Sequence, residues 1–274
     1  TVTGGTGDDT IEVVFHSAGA VVDTGEDNDR VFTALSGGGT VTTLRTGAGS
    51  DRVEDVGAPI SSTPFDPISG VGLVDLGADD DRMQGGGAMM LVLGDGDDTV
   101  TRGTNGLTEI GWGLLAGDGD DSATVRIADN GVSGKTISGG IGNDWLEVVG
   151  DFFDFLPPAQ RGVSIFGETG NDILKLTQFT GEAFGGDGDD ELIGQAFSRL
   201  DGGADDDRIT VSEAIWHPSF QPDYAAAVAA SALTEVAGGT GHDLIRVELS
   251  DVDLGRQRAS VWAEGGDGAD IIID

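Results

Sequence analysis

Twelve aspartates recur along this chain in one local setting: Asp9, Asp29, Asp51, Asp81, Asp98, Asp121, Asp144, Asp172, Asp190, Asp207, Asp243 and Asp270. Each is sixth in a nine-residue pattern, G-G-x-G-x-D-x-U-x, where U is a large aliphatic residue; Gly185 to Ile193 matches it throughout. A carboxylate beside a glycine-rich turn suits a hard cation. Calcium takes about six to eight oxygens at roughly 2.3–2.6 Å, from carboxylates and backbone carbonyls. Glycine permits the backbone angles that aim several carbonyls at one point. A single turn offers too few ligands, so two stacked turns must share an ion, and coils about 4.8 Å apart bring them within reach. Asp8, Asp80, Asp97, Asp120, Asp189 and Asp206, at the fifth position, add further negative charge. Magnesium fits less well, because it keeps its waters and demands tight octahedral geometry. All twelve sixth-position aspartates are therefore expected to be metal ligands, holding about ten calcium ions in a column.

The surrounding residues must position that column. The second position is Gly in eleven copies, with Glu168 the exception, and the fourth is Gly in nine, with Asp27, Asp79 and Asp205 in the others. Aspartate enters the left-handed region at tolerable cost, so those turns can survive. The eighth position reads Ile11, Val31, Val53, Met83, Val100, Ala123, Leu146, Leu174, Leu192, Ile209, Ile245 and Ile272. A second apolar column stands two residues before the motif: Val2, Val22, Leu44, Val74, Leu91, Leu114, Ile137, Ile165, Ala183, Leu200, Val236 and Ala263. The ninth position is mostly polar, with Phe32, Ile193 and Ile273 breaking the rule. Each turn is thus flanked by two short strands, each with one residue pointing inward. Stacking the turns piles both columns into a core. A disordered glycine-rich linker would carry no such columns. The expected fold is all-β: a parallel β-roll or β-helix solenoid of about twelve coils.

Successive sixth-position aspartates stand 17 to 36 residues apart, three of the gaps being 17 or 18. None is near nine, so each coil has one aspartate turn, and all lie on one edge. The opposite edge must turn without metal, at Ser36 to Gly39, Gly85 to Gly87, Asn105-Gly106 and Asp129 to Gly131. Longer coils carry insertions at that plain edge. They fall near 56–71, with three prolines; near 150–161, with Phe152, Phe153 and Phe155; and near 213–234, with Trp216, His217, Phe220 and Tyr224. Within the last, 223–233 suits a short helix with Asp223 as N-cap. The aromatics there either cover an open side of the core or meet a neighbour. One solenoid is expected across 1–274.

Composition narrows the function. The formal charge is −35, from 49 acidic against 14 basic residues. That argues against nucleic acid and against an anionic membrane surface. Multivalent cations are the natural partner. About eleven calcium ions, one per gap between twelve stacked turns, would add +22 to the −35 and leave about −13. There is no Cys, so metal is the available staple. No stretch reaches the ~18 apolar residues of a membrane span, and no membrane insertion is expected. The chain enters directly at a repeat and stops just after another, as expected of a segment of a longer protein. Catalysis finds little support. The three histidines are His16, His217 and His242, with no H-E-x-x-H and no G-x-S-x-G. Lys135 and Lys175 with twelve scattered Arg make no basic groove for a polyuronate. His242 sits at the variable fifth position and reads as a tolerated turn residue.

These repeats resemble the RTX (repeats-in-toxin) calcium-binding β-roll family. Gly4 to Glu12, Gly139 to Glu147, Gly185 to Ile193 and Gly265 to Ile273 carry the match best, and the resemblance runs end to end with insertions between repeats. It implies a calcium turn in the first six residues of each unit and a short strand in the last three. It implies Asp9, Asp98, Asp144, Asp190 and Asp270 as the firmest ligands. It also implies export, with folding outside the cell in calcium. The expected function is a calcium-stabilised structural or adhesive segment of a large bacterial cell-surface or secreted protein: a surface layer, an adhesin, or an extracellular filament or matrix. Its partners would be calcium and neighbouring copies, other surface proteins or polysaccharide. The alternative is the folding and carrier module of a type I-secreted enzyme or toxin whose catalytic domain lies elsewhere.

Overall fold

A computed structural model describes residues 1–15, 19–35, 43–55, 71–85, 87–101, 108–127, 134–150, 162–177, 181–195, 198–212, 233–248 and 260–273. Each of these twelve stretches is strand, aspartate turn, strand. The first coil pairs Val2–Thr6 with Thr10–Phe15, and the ninth pairs Glu182–Asp187 with Glu191–Gln195. Described strand pairings are parallel and, apart from the start of the strand Thr108–Asp118, join equivalent strands of successive coils. The chain is a parallel β-roll, as the sequence leads one to expect. Helix is absent among the described residues.

The coils fall into two compact units, Thr1–Trp145 and Leu146–Asp274. In the first, the pre-turn strands stack Val2, Val22, Leu44, Val74, Leu91, Leu114 and Ile137 in exact register. The post-turn strands stack Ile11, Val31, Val53, Met83, Val100 and Ala123. In the second unit the two columns are Ile165, Ala183, Leu200, Val236, Ala263 and Leu174, Leu192, Ile209, Ile245, Ile272. Both columns of apolar residues in the sequence are therefore real walls of core. Strand side chains alternate between faces, and burial alternates with them, as in Val163–Thr169 and Ile173–Thr177. Within each unit the inner coils are closed: Leu44, Leu91, Leu114, Leu174, Leu192 and Ile209 have no exposure. Val2 and Ile272, in outermost coils, stay half-open because a neighbour covers one side only.

The ninth position faces outward, and two of its exceptions are accounted for. The guanidinium of Arg30 stands 4.6 Å over the Phe32 ring, a cation–π contact that shields the ring. Ile193 pairs with Lys175 and Thr210 on the outer face. One detail was not legible in the repeats. The strand Thr108–Asp118 breaks register between Ile110 and Gly113. Its first residues pair Ile110 with Ala88 and Ile127. All three are buried, so this edge of the first unit gains a short third wall.

The three insertions lie between a post-turn strand and the next pre-turn strand, never within an aspartate turn. Most of 56–71 and 213–234, all of 150–161 beyond Gly150, the turns near 36–39, 105–106 and 129–131, and the helix expected over 223–233 lie outside the described residues. Val71 and Leu233 open strands.

Candidate metal centre

The turns form because two residues in each take left-handed backbone angles. The second and fourth positions have positive φ in all twelve copies, including the non-glycines Asp27, Asp79, Glu168 and Asp205 at +75 to +81°. The second position carries a further constraint. A Cβ at Gly25, Gly47, Gly77, Gly94 or Gly117 would strike the second-position carbonyl of the preceding coil. Gly5 opens the first unit and would meet nothing within 4 Å. Asp27 uses its carboxylate to compensate: Oδ2 accepts the N–H of Gly7 at 2.8 Å.

These angles turn the sixth-position carboxylate inward. Ten of the twelve aspartates, from Asp29 to Asp243, are only 1–3 % exposed, while Asp9 and Asp270 in end coils are partly buried. The structure brings Asp9, Asp29, Asp51, Asp81, Asp98, Asp121 and Asp144 into one column of the first unit, and Asp172, Asp190, Asp207, Asp243 and Asp270 into one column of the second.

Each column is clamped twice. The backbone N–H of one aspartate donates to Oδ1 of the next at 2.7–3.1 Å. Its carbonyl in turn accepts the N–H of the next coil's seventh residue, as from Arg208 to Asp190 at 2.8 Å. Oδ1 is thereby engaged. Oδ2 is not: at Asp9, Asp29, Asp51, Asp81, Asp98, Asp121, Asp190, Asp207 and Asp243 it is buried without a hydrogen-bond partner.

A buried carboxylate without a donor is costly, and the acid constants register that cost. Burial raises Asp81 to about 8, Asp121 and Asp207 to about 7, and Asp98 and Asp190 to about 6. The backbone N–H bond to each opposes the rise, and charges of neighbouring aspartates add to it. Asp51 and Asp243 shift upward for the same first reason. The column asks for positive charge.

Among the described residues, no three His, Cys, Asp or Glu side chains converge on one point. Side chains alone do not make the site; any cation here needs backbone carbonyls as well. The turns offer them. A methyl carbon at Gly185 would lie within 2.5 Å of both Oδ2 of Asp190 and the carbonyl oxygen of Gly202 in the next coil. An orphaned carboxylate oxygen and a carbonyl oxygen thus face one glycine-lined space. The donor set is oxygen only, which fits calcium and fits a softer metal poorly.

The fifth position is the feature that repeat counting undervalued. Its side chains form a second ladder, outside the first and of opposite polarity. Backbone N–H groups of Asn28, Asp97, Asp120, Asn143, Asp189, Asp206 and His242 each donate to the fifth-position side chain one coil earlier, at 2.7–3.1 Å. Asp8, Asp80, Asp97, Asp120, Asp189 and Asp206 therefore serve as acceptors besides adding charge. His242 does the same with Nδ1, which accepts the N–H of Ala269 at 3.1 Å. The available signal was that eleven of twelve fifth-position residues carry an acceptor atom. His16 and His217 lie outside the described residues.

No family model, no curated protein and no solved structure matches this chain.

Proposed function

We propose that the chain is a calcium-binding structural or adhesive segment of a large bacterial cell-surface or secreted protein, folded and stiffened by ions between its stacked turns. One observation carries this reading: columns of buried aspartates in which one carboxylate oxygen holds the coils together and the other has no hydrogen-bond donor. Uncompensated, such columns repel themselves and the chain carries −35 overall. A divalent ion bound by Oδ2 and turn carbonyls removes both costs. It binds the stacked turns and not the open chain, so stability rises with free calcium as RT ln(1 + [L]/Kd) at each site. Folding then waits for a calcium-rich setting, which suits a protein that works outside the cell. The parallel coils give a regular, extendable scaffold, and the acidic surface keeps it soluble.

The test is far-UV circular dichroism of chelator-stripped protein titrated with calcium, with magnesium as control. A gain of β-structure, or a large rise in Tm, in calcium alone is the expected result. A spectrum and a melting curve indifferent to calcium would refute the reading.

A further inference from the structure

We infer that the residue at the first turn position decides which coils take a cation: calcium sits where a glycine-first coil is followed by another coil of its unit, at Gly4, Gly167, Gly185, Gly202 and Gly238, and is shut out of the coils beginning with Thr24, Thr46, Leu76, Leu93 and Ala116. This rests on the calcium reading above and narrows it.

Five successive glycine-first coils lie in the second unit, and the first four of them are followed by a further coil. A methyl carbon at Gly167, Gly185, Gly202 or Gly238 would fall within 2.5 Å of Oδ2 of its own coil's aspartate and of the first-position carbonyl oxygen of the next coil. The aspartates are Asp172, Asp190, Asp207 and Asp243. Gly4, with Asp9 and the carbonyl of Thr24, repeats the arrangement in the first unit. Two acceptors that face one dry spot repel unless something positive lies between them. Asp190, Asp207 and Asp243 are 1–2 % exposed, and their Oδ2 atoms have no hydrogen-bond partner.

The second to sixth coils of the first unit differ. Their first position carries a side chain, 0–1 % exposed in every case. Where it is threonine, the hydroxyl does what a cation would do for the carbonyl. Thr24 Oγ1 donates to the Thr46 carbonyl at 2.8 Å, and Thr46 Oγ1 donates to the Leu76 carbonyl. Leu76, Leu93 and Ala116 carry buried hydrocarbon at the same motif position. A hard cation that requires about six oxygens gains nothing from a hydroxyl already committed as donor, and less from a methyl group. The aspartate column is continuous within each unit, but the cation column is not.

The experiment counts ions on the full chain by equilibrium dialysis against buffered calcium, followed by elemental analysis. About five ions per chain are expected, against about eleven if every gap filled. Gly185→Ala should lose one ion, and Ala116→Gly, which opens a closed cradle, should gain one. Circular dichroism checks that each variant folds; if Gly185→Ala does not, the gain in Ala116→Gly still decides. About ten or more ions, with no change in Ala116→Gly, would overturn the inference and leave calcium folding intact. No bound calcium in any variant would overturn both.

Discussion

The backbone N–H of Asp190 donates to Oδ1 of Asp207 at 2.9 Å, while Oδ2 of that carboxylate is buried without a donor. One side chain thus has two tasks. Half of it is a strut between coils and needs no charge. The other half is useful only if something positive arrives. Substitution can separate the two.

Asp207→Asn keeps an oxygen for the Asp190 N–H and replaces Oδ2 with an amide that can donate to the nearby Gly238 carbonyl. In chelator the Asn variant should melt at or above the wild-type temperature, and calcium should raise its Tm less than it raises that of wild type. Asp207→Ala leaves the Asp190 N–H buried and unpaired, a loss of about 1–3 kcal/mol. It should melt lower in both buffers. Equal calcium responses in wild type and Asp207→Asn would remove Asp207 from the ligand set.

The same dry carboxylates reverse the usual effect of acid. Asp81, Asp121 and Asp207 hold protons up to about 7 or 8 when folded, whereas an unfolded aspartate titrates near ~3.9. Folding therefore takes up protons between those values. Metal-free stability is fullest below the unfolded value and falls as pH rises through the folded ones. Melts of stripped protein should show Tm rising from about pH 8.5 to about pH 5.5. Saturating calcium, which binds deprotonated Asp207 in its glycine-first coil but not Asp81 or Asp121, should make that slope shallower without abolishing it. A stripped protein that melts lower on acidification across this range would contradict the buried column.

Stacking at the second turn position can be tested with two alanines. Both Gly5 and Gly94 have positive φ, +118° and +124°. Gly5→Ala meets empty space, so only the backbone preference is lost, about 1 kcal/mol. Gly94→Ala drives a methyl group into the Gly77 carbonyl, and the coils must part; the cost should be about 3 kcal/mol or more. Denaturant titration gives both values. Similar losses at the two sites would mean that the coils are not packed as described.

Much of this architecture was legible in the residues because a solenoid repeats its constraints. The register Leu44–Val74–Leu91 and the left-handed angles of Asp27, Asp79 and Asp205 follow from aligning one aspartate column, whereas that of Glu168 does not. What stayed hidden depends on contacts between coils. Gly185 and Leu93 occupy the same motif position, yet one leaves a space beside two oxygens and the other carries a buried side chain. No pattern of single residues shows which oxygens meet there. The break at Ile110 and Gly113 was hidden for a related reason: it lies in the strand before the aspartate turn, ahead of the motif that holds the chain in step.

His242 gives the fifth-position ladder its sharpest test. Its N–H donates to Asp206 at 2.8 Å, and its Nδ1 accepts from Ala269. Asn143 and Asn171 show that asparagine suits this position, and Asn171 accepts the Asp189 N–H at 3.0 Å. His242→Asn should therefore keep the last rung, while His242→Ala removes it and should cost about 0.5–1.5 kcal/mol. Because each rung joins only two coils, the damage should stay local. Amide hydrogen exchange should quicken at Ala269 in the alanine variant and not in the asparagine variant, with Asp189 and Asp206 unchanged in both. Faster exchange at all three amides in His242→Ala would mean that the ladder acts as one cooperative rail, its rungs depending on one another.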